Sequence, residues 1–258
     1  MPDKKNIKKS IALLSEICSL MMSSGANTKR VIGSVNRFAS ALNFESHALI
    51  SHKSITMTLT DKLTEENYTR VSQIPKYKIN FSVVAVISRL SWTAEAKHWD
   101  YDKIKSRIET VKNEKRYPFW AELLTVSLAG AGFAKLFGGD YLNMFVAFIA
   151  TLVGMLVSKT AARLNVNSYA RTYLSAVFAS LVSSLGILWN IGHEPQVALA
   201  TSVLFLVPGV PLINSFIDLF NNHILNGIVR FVSGFITVLA IGLGIITVMV
   251  MFNINNFM

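Results

Sequence analysis

Residues 142–158 read LNMFVAFIATLVGMLVS, an uninterrupted stretch without a charged side chain. At 1.5 Å per residue a helix of that length covers about 25 Å, close to the ~30 Å hydrocarbon thickness of a bilayer. Four comparable stretches flank it, so the reading is of five apolar spans: Trp120 to Phe137, Leu142 to Ser158, Thr172 to Gly192, Val197 to Ile213 and Ile228 to Phe252. The whole chain is 52% hydrophobic and only 16% charged, too apolar for an ordinary soluble surface. These features predict an α-helical integral membrane protein with about five transmembrane helices.

What precedes the spans is different in texture. Residues 1–119 hold 20 of the 25 Lys and Arg and 11 of the 15 Asp and Glu, so nine of the ten surplus positive charges lie there. The division is therefore a basic domain over 1–118, ended by Pro118, and a membrane domain over 119–258. Within the first, Ile11, Leu14, Ile17, Cys18 and Met21 recur at three- and four-residue steps and predict a helix from Ile7 to Ser24, stopped by Gly25. Asn27 or Thr28 caps a second helix carrying Val31, Val35, Phe38 and Leu42. From Ser54 to Thr60 the period falls to two, with Ile55, Met57 and Leu59 alternating with threonines, which predicts a half-buried strand. Shorter strand candidates lie at His47 to Ile50 and Thr69 to Ile74. Asn80 or Ser82 opens a third helix, and a charged helix follows from about Asp102 to Lys115. The domain is α+β. Lysines 4, 5, 8 and 9 lead into an amphipathic stretch and no cleavable signal peptide is expected, which keeps this domain in the cytoplasm. The single cysteine, Cys18, reads as a core thiol.

Basic residues also set the orientation. They gather in the first domain, at Lys159, Arg163 and Arg171 in the second link and at Arg230 after the fourth span, while the first and third links carry only Asp140 and Glu194. A cytoplasmic N-terminus and an external C-terminus satisfy that pattern. A nucleic-acid role is disfavoured, because the basic residues are interleaved with acids and no binding motif is visible.

Catalytic signatures are missing. His47, His52, His98, His193 and His223 lack metal-ligand spacing, and there is neither a phosphate loop nor a nucleophile elbow, so no metal and no cofactor is expected. The informative residues are those that are costly within a membrane. Pro208, Gly209 and Pro211 predict a kinked or unwound fourth span, and such breaks are tolerated only where protein or a water-filled cavity satisfies the freed backbone. Beyond the break Asn214 and Asp218 share a helix face at i, i+4. Asp218 then serves either a substrate or proton, or a plain interfacial pair with Arg230. Lys135, near the external end of the first span, requires compensation, by snorkelling, by Asp140 or by a substrate carboxylate. Gly130, Gly154 and Gly244 read as close-packing positions.

Several of these stretches together resemble the threonine/serine exporter family: residues 25–31 (GANTKRV), Thr69 and Arg70, Ile79-Asn80, Arg116-Tyr117-Pro118, and 207–214 (VPGVPLIN) followed by Asp218, Gly227 and Arg230. The likeness runs from about Ile7 to Phe252, includes Phe133 to Gly139, and is to the YjjP-type subunit. It implies a secondary exporter of small polar metabolites in a cytoplasmic membrane, threonine and serine or C4-dicarboxylates such as succinate, without a bound cofactor. It also implies a partner, a small all-membrane YjjB-type protein, since longer members have about ten spans. An odd span count agrees, because one half of an inverted-repeat transporter leaves its termini on opposite sides. A homo-oligomer is the alternative source of the second half. The competing readings are a membrane-anchored enzyme, with residues 54–60 and Glu16 as the place to look, and a regulatory or scaffold subunit of a partner channel.

Overall fold

The computed structural model describes residues 4–51, 53–75, 78–113 and 117–254. His52 and Arg116, both named above, lie outside them. The fold divides into two compact units, one formed by Met1–Lys115 with Val210–Val232 and the other by Arg116–Gly209 with Ser233–Met258.

In the first unit α1 (Lys4–Ser23) and α2 (Thr28–Ala41) precede three antiparallel strands, β1 (Phe44–Ile50), β2 (Ser54–Asp61) and β3 (Asn67–Gln73), ordered β1-β2-β3. The alternation in β2 falls as expected, with Ile55, Met57 and Leu59 wholly buried. They join Ile11, Leu14, Ile17 and Met21 of α1 and Val31, Val35 and Phe38 of α2 in one apolar core. Helices α3 (Phe81–Ala96) and α4 (Tyr101–Lys112) complete it through Val83, Val84, Ile87, Ile104 and Ile108. Asn80 caps α3 by accepting a hydrogen bond from the Val83 N–H, and Asp100 does the same for α4 at Lys103. Cys18 is buried here, and burial pushes its thiol up to about 12.

Helix α1 ends where Gly25 takes φ +98°, a value glycine adopts without a Cβ penalty. The Ala26 N–H then donates to the Met21 carbonyl and the Gly25 N–H to the Met22 carbonyl, a Schellman closure. Asparagine does this work at three other helix ends. Asn165, Asn190 and Asn222 all have positive φ, and the residue after each donates back to a carbonyl five positions earlier.

The second unit contains α5 (Phe119–Leu136), α6 (Tyr141–Arg163), α7 (Ser168–Leu188) and α8 (Pro195–Ser202), with the C-terminal part of α10 (Ile224–Met251). Helices α5, α6, α7 and α10 are long and apolar enough to cross a membrane, and the bent pair Pro195–Leu206 with Gly209–Phe220 counts as a fifth span if it crosses. The protein is thus largely helical, with four or five membrane-spanning helices and one small sheet. Small residues set the packing of this unit. A Cβ on Gly130 would meet the Thr151 Oγ1 at 2.5 Å, and one on Gly244 would meet the Ala176 Cβ at 2.7 Å.

The break expected at Pro208 to Pro211 is present, but it opens earlier, since α8 ends at Ser202 and a 3-10 turn over Leu204–Leu206 precedes Pro208. Val207 is extended, as the residue before a proline prefers, and α9 (Gly209–Phe220) starts immediately after Pro208. Pro211 falls in the first turn of α9, where its missing N–H would have had no intrahelical partner. Its ring therefore costs no helix hydrogen bond.

Candidate functional site

The Schellman turn leaves the carbonyls of Gly25 and Ala26 free, and Asn27 accepts from the Arg30 N–H at 2.8 Å to start α2. Thr28 is the first residue of α2, so its own N–H has no partner inside the helix. That N–H donates to the Asp218 Oδ1 at 2.9 Å, and the Thr28 hydroxyl donates to Oδ2 at 3.0 Å. A carboxylate thus sits at the N-terminal end of α2, where free N–H groups and the helix dipole favour negative charge. Asp218 is 0% exposed.

Three further side chains from the 210–232 segment close on the same turn. Asn214 donates to the Gly25 carbonyl at 2.8 Å. Asn226 donates to the Thr28 hydroxyl at 3.2 Å and to the Ile50 carbonyl at 2.9 Å. Arg230 donates through Nη2 to the Ala26 carbonyl at 3.0 Å, while its Nη1 lies 3.3 Å from the Asp218 Oδ2. The Arg230 Nη1 is buried and makes no hydrogen bond of good geometry, so the ion pair is electrostatic contact without full satisfaction. The hairpin that brings Asp218 and Arg230 together turns at Asn222, after which the His223 N–H donates to the Asp218 carbonyl at 2.9 Å. Edge-on packing of Phe216 against Phe231, at 6.1 Å between ring centres, holds its two arms.

The sequence-named residues therefore separate. Asn214, Asp218 and Arg230 converge, on a turn made by the 25–31 stretch, which lies some two hundred positions away in sequence. Pro208, Gly209 and Pro211 lie at the start of the helix that carries two of them. Lys135 does not pair with Asp140; its ammonium stands 5.0 Å from the centre of the Tyr141 ring. Asp140 instead caps α6: its carboxylate accepts from the Asn143 N–H at 2.8 Å and the His193 N–H at 3.0 Å, and the Asn143 side chain returns the bond to the Asp140 N–H. Hydrogen bonds from the Asn143 and His193 N–H groups hold the Asp140 carboxyl below its usual range, against a smaller opposing effect of desolvation.

Thr28 and Asn226 were not anticipated as site residues. Thr28 reads as a helix cap, and nothing local distinguishes a capping hydroxyl from one that serves a distant carboxylate. Among the described residues, three buried hydroxyls of the membrane unit have no hydrogen-bond partner, Ser127 on α5 and Ser180 and Ser184 on one face of α7. Serine in an apolar helix normally bonds the carbonyl four residues back, as Ser175 does with Arg171. The three that do not are left available to another polar group.

Among the described residues no group of three or more His, Cys, Asp or Glu is placed to hold a metal ion. The cluster is a desolvated ion pair lined with amides and a hydroxyl, suited to recognising a small polar or charged group.

Comparison with known proteins agrees with this architecture. Residues 12–252 match the family described as "Putative threonine/serine exporter". The chain is 29% identical over 260 aligned positions to the "Probable succinate transporter subunit YjjP" of Klebsiella aerogenes, covering 99% of each chain. It is 29% identical over 249 positions to the protein of the same name in Escherichia coli, covering 93% of each. A "Probable threonine/serine exporter" of Mycobacterium tuberculosis is 22% identical over 231 positions, which span 88% of this chain and 43% of that one. No solved structure matches. With a family match over nearly its full length, a near end-to-end likeness to two transporter subunits and four or five spans, this multi-pass membrane protein belongs to the threonine/serine exporter family.

Proposed function

We propose that the chain is one subunit of a gradient-driven exporter of small polar metabolites in a bacterial cytoplasmic membrane, and that the Asp218–Arg230 cluster is a working part of its path. The observation that carries this reading is the wholly buried Asp218 beside an incompletely satisfied Arg230, in a chain of an exporter family. Burying such a pair is expensive, and an apolar pair of similar volume would stabilise the fold as well or better. An ion pair that can be exchanged for a substrate group has a use that an apolar pair lacks. Substrates of the two classes named for relatives, amino acids and C4-dicarboxylates, both carry a carboxylate, and the Arg230 guanidinium is the fork that would receive it when Asp218 gives way.

Opposite sides for the two termini are supported by the same cluster, and the cytoplasmic placement of the N-terminus rests on the distribution of basic residues. Starting from the cytoplasm, α5, α6 and α7 end outside, and only a crossing of the bent pair returns residues 221–223 to the cytoplasmic side. Asn214, Asp218, Asn226 and Arg230 are bonded to residues 25–50, which a re-entrant pair would place on the opposite face. Five spans leave half of an inverted repeat to be supplied by a second chain, either a small all-membrane YjjB-type protein or a second copy.

The test is efflux from cells lacking the chromosomal copy, complemented by wild-type, Asp218→Asn or Arg230→Ala chain at matched membrane abundance. Loss of threonine, serine or succinate export in both variants is the expected result. Unchanged export of all three in both variants would remove the cluster from the path.

A further inference from the structure

Helix α10 has 28 residues and is about 42 Å long, which matches the ~40–45 Å of a bilayer with its headgroups. No charged residue follows Arg230 in this helix, so Phe231 to Met251, about 30 Å, fills the hydrocarbon and Ile224 to Arg230 is left to the headgroup layer. That first part of α10 is bound to the α+β fold. Asn226 donates to the Ile50 carbonyl and the Thr28 hydroxyl, and Arg230 to the Ala26 carbonyl. The turn from Gly25 to Thr28 therefore lies at headgroup depth.

A second segment is fastened to the same turn. The Lys78 N–H donates to the Ser23 carbonyl at 2.7 Å and the Asn80 N–H to the Ser24 carbonyl at 2.9 Å. From there α2 and α3 run side by side in the same direction, since Arg37 Nε donates to the Ser91 hydroxyl at 2.9 Å, each residue about three turns from the start of its helix. Both helices thus begin at the turn and direct the positive ends of their dipoles there. The carbonyls that close α1 are occupied by Lys78, Asn80, Asn214 and Arg230.

The charges divide in the same way. Residues 17–44 and 67–94, which contain the turn and both helix starts, include no Asp or Glu. Lys29, Arg30 and Lys78 are exposed at the turn, and Ile79 and Phe81 are exposed beside them. Asp218, the carboxylate in contact with the turn, is buried and offset by Arg230, so the local surplus is the three exposed cations. Acids stand at and beyond the other end of α3, at Glu95, Asp100 and Asp102.

From this arrangement we infer that the turn end of the α+β unit is seated on the anionic phospholipid headgroups of the cytoplasmic leaflet, with Lys29, Arg30 and Lys78 against phosphates and Ile79 and Phe81 at the acyl boundary. The depth set by α10 and the sign of the charge both fit a lipid surface. Basic side chains in water need no partner, but at an anionic leaflet each gains from the surface potential, and three together bias the unit towards it by on the order of a hundredfold. The contact holds the turn that carries Thr28, and with it Asp218, at a fixed depth. It does not depend on whether Asp218 and Arg230 form the transport path.

The test is a nitroxide attached at Phe81→Cys in the full chain, reconstituted in vesicles of equal parts phosphatidylglycerol and phosphatidylcholine, or of phosphatidylcholine alone. Cys18 is buried and stays unlabelled, and Ala96→Cys, at the other end of α3, is the aqueous reference. In the anionic vesicles, collisions with oxygen should exceed those with a water-soluble nickel chelate at residue 81 and not at residue 96. The signal at residue 81 should move towards the aqueous reference in phosphatidylcholine alone, and also in Lys29→Gln/Arg30→Gln/Lys78→Gln. The comparison of vesicles needs no charge variant, so it decides the matter even if the triple variant does not fold. An aqueous signal at residue 81 in the anionic vesicles overturns the inference, as does a label equally buried in both vesicles. A label shielded from both collision partners only when a second membrane protein is reconstituted alongside also overturns it, assigning this face to a protein.

Discussion

Asp218, wholly buried, accepts two hydrogen bonds from Thr28 and faces the largely buried Arg230 guanidinium. Removing one partner of such a pair leaves the other charge stranded, so Asp218→Asn and Arg230→Met should each destabilise the chain by about 3–5 kcal/mol. The double variant leaves no stranded charge and should recover most of that loss. Denaturant unfolding in detergent, followed alongside efflux, separates the roles: a double variant that is stable yet silent places the pair in the path, whereas one that is stable and active makes it structural. A second residue-scale expectation concerns Cys18. Its thiol, pushed from 9.0 to about 12 by burial, stays protonated and unreactive at neutral pH, so a maleimide should label it only after unfolding. The sign of the linkage follows. A raised pKa in the folded state contributes stability that is complete below the ordinary value and is lost as the pH climbs from about 9 towards 12. The alkaline decline in stability should accordingly be shallower in Cys18→Ala.

Individual helices carry their own tests. On α5, a Cβ at Gly130 would press on the Thr151 hydroxyl of α6, so Gly130→Val should cost about 1–3 kcal/mol through overpacking. On α7, Ser184→Ala removes a hydroxyl that has no partner and should leave unfolding unchanged or slightly raise its midpoint. If export falls in Ser184→Ala while stability does not, the hydroxyl serves the cargo. At the start of α6, the Asp140 carboxyl is held below its usual range by N–H groups, so the protection it provides is present above the ordinary carboxylate pKa. That protection is lost as the pH falls through the depressed value of the folded state. Amide exchange at residues 141–144, compared between wild type and Asp140→Ala, should differ near neutral pH and converge in strong acid.

At the scale of the molecule, the prediction is one of sidedness and assembly. Reporter or cysteine-accessibility probes at the N-terminal unit and at His223 should report the same, cytoplasmic, side, and a probe after Met251 the other. A five-span subunit that needs a second half should co-purify with a small all-membrane protein encoded beside it, or be recovered as a homo-oligomer; recovery as a transport-competent monomer would refute the half-transporter reading.

Much of this was readable from local pattern, because the forces involved are local or non-directional. Span length follows from bilayer thickness, the β2 strand from a period of two, and the break at Pro208 from a missing N–H and the preference of the preceding residue. Less was readable at helix ends, where Asn165, Asn190 and Asn222 serve as left-handed caps: asparagine is common in loops, and only the chain path shows which one reverses a helix. The pairing of Lys135 with Asp140 failed for a related reason, since the capping bonds of Asp140 within its own turn outcompete an ion pair with a neighbouring lysine. What the sequence determined by itself was a basic α+β domain, a set of apolar spans and two short stretches, 25–31 and 207–218, rich in costly residues. Only the tertiary structure decided that these two stretches meet, with Thr28 and Asn226 joining Asp218 and Arg230. The Gly25 turn frees two carbonyls and the first N–H of α2, and those groups select partners by position in space, which spacing along the chain does not encode.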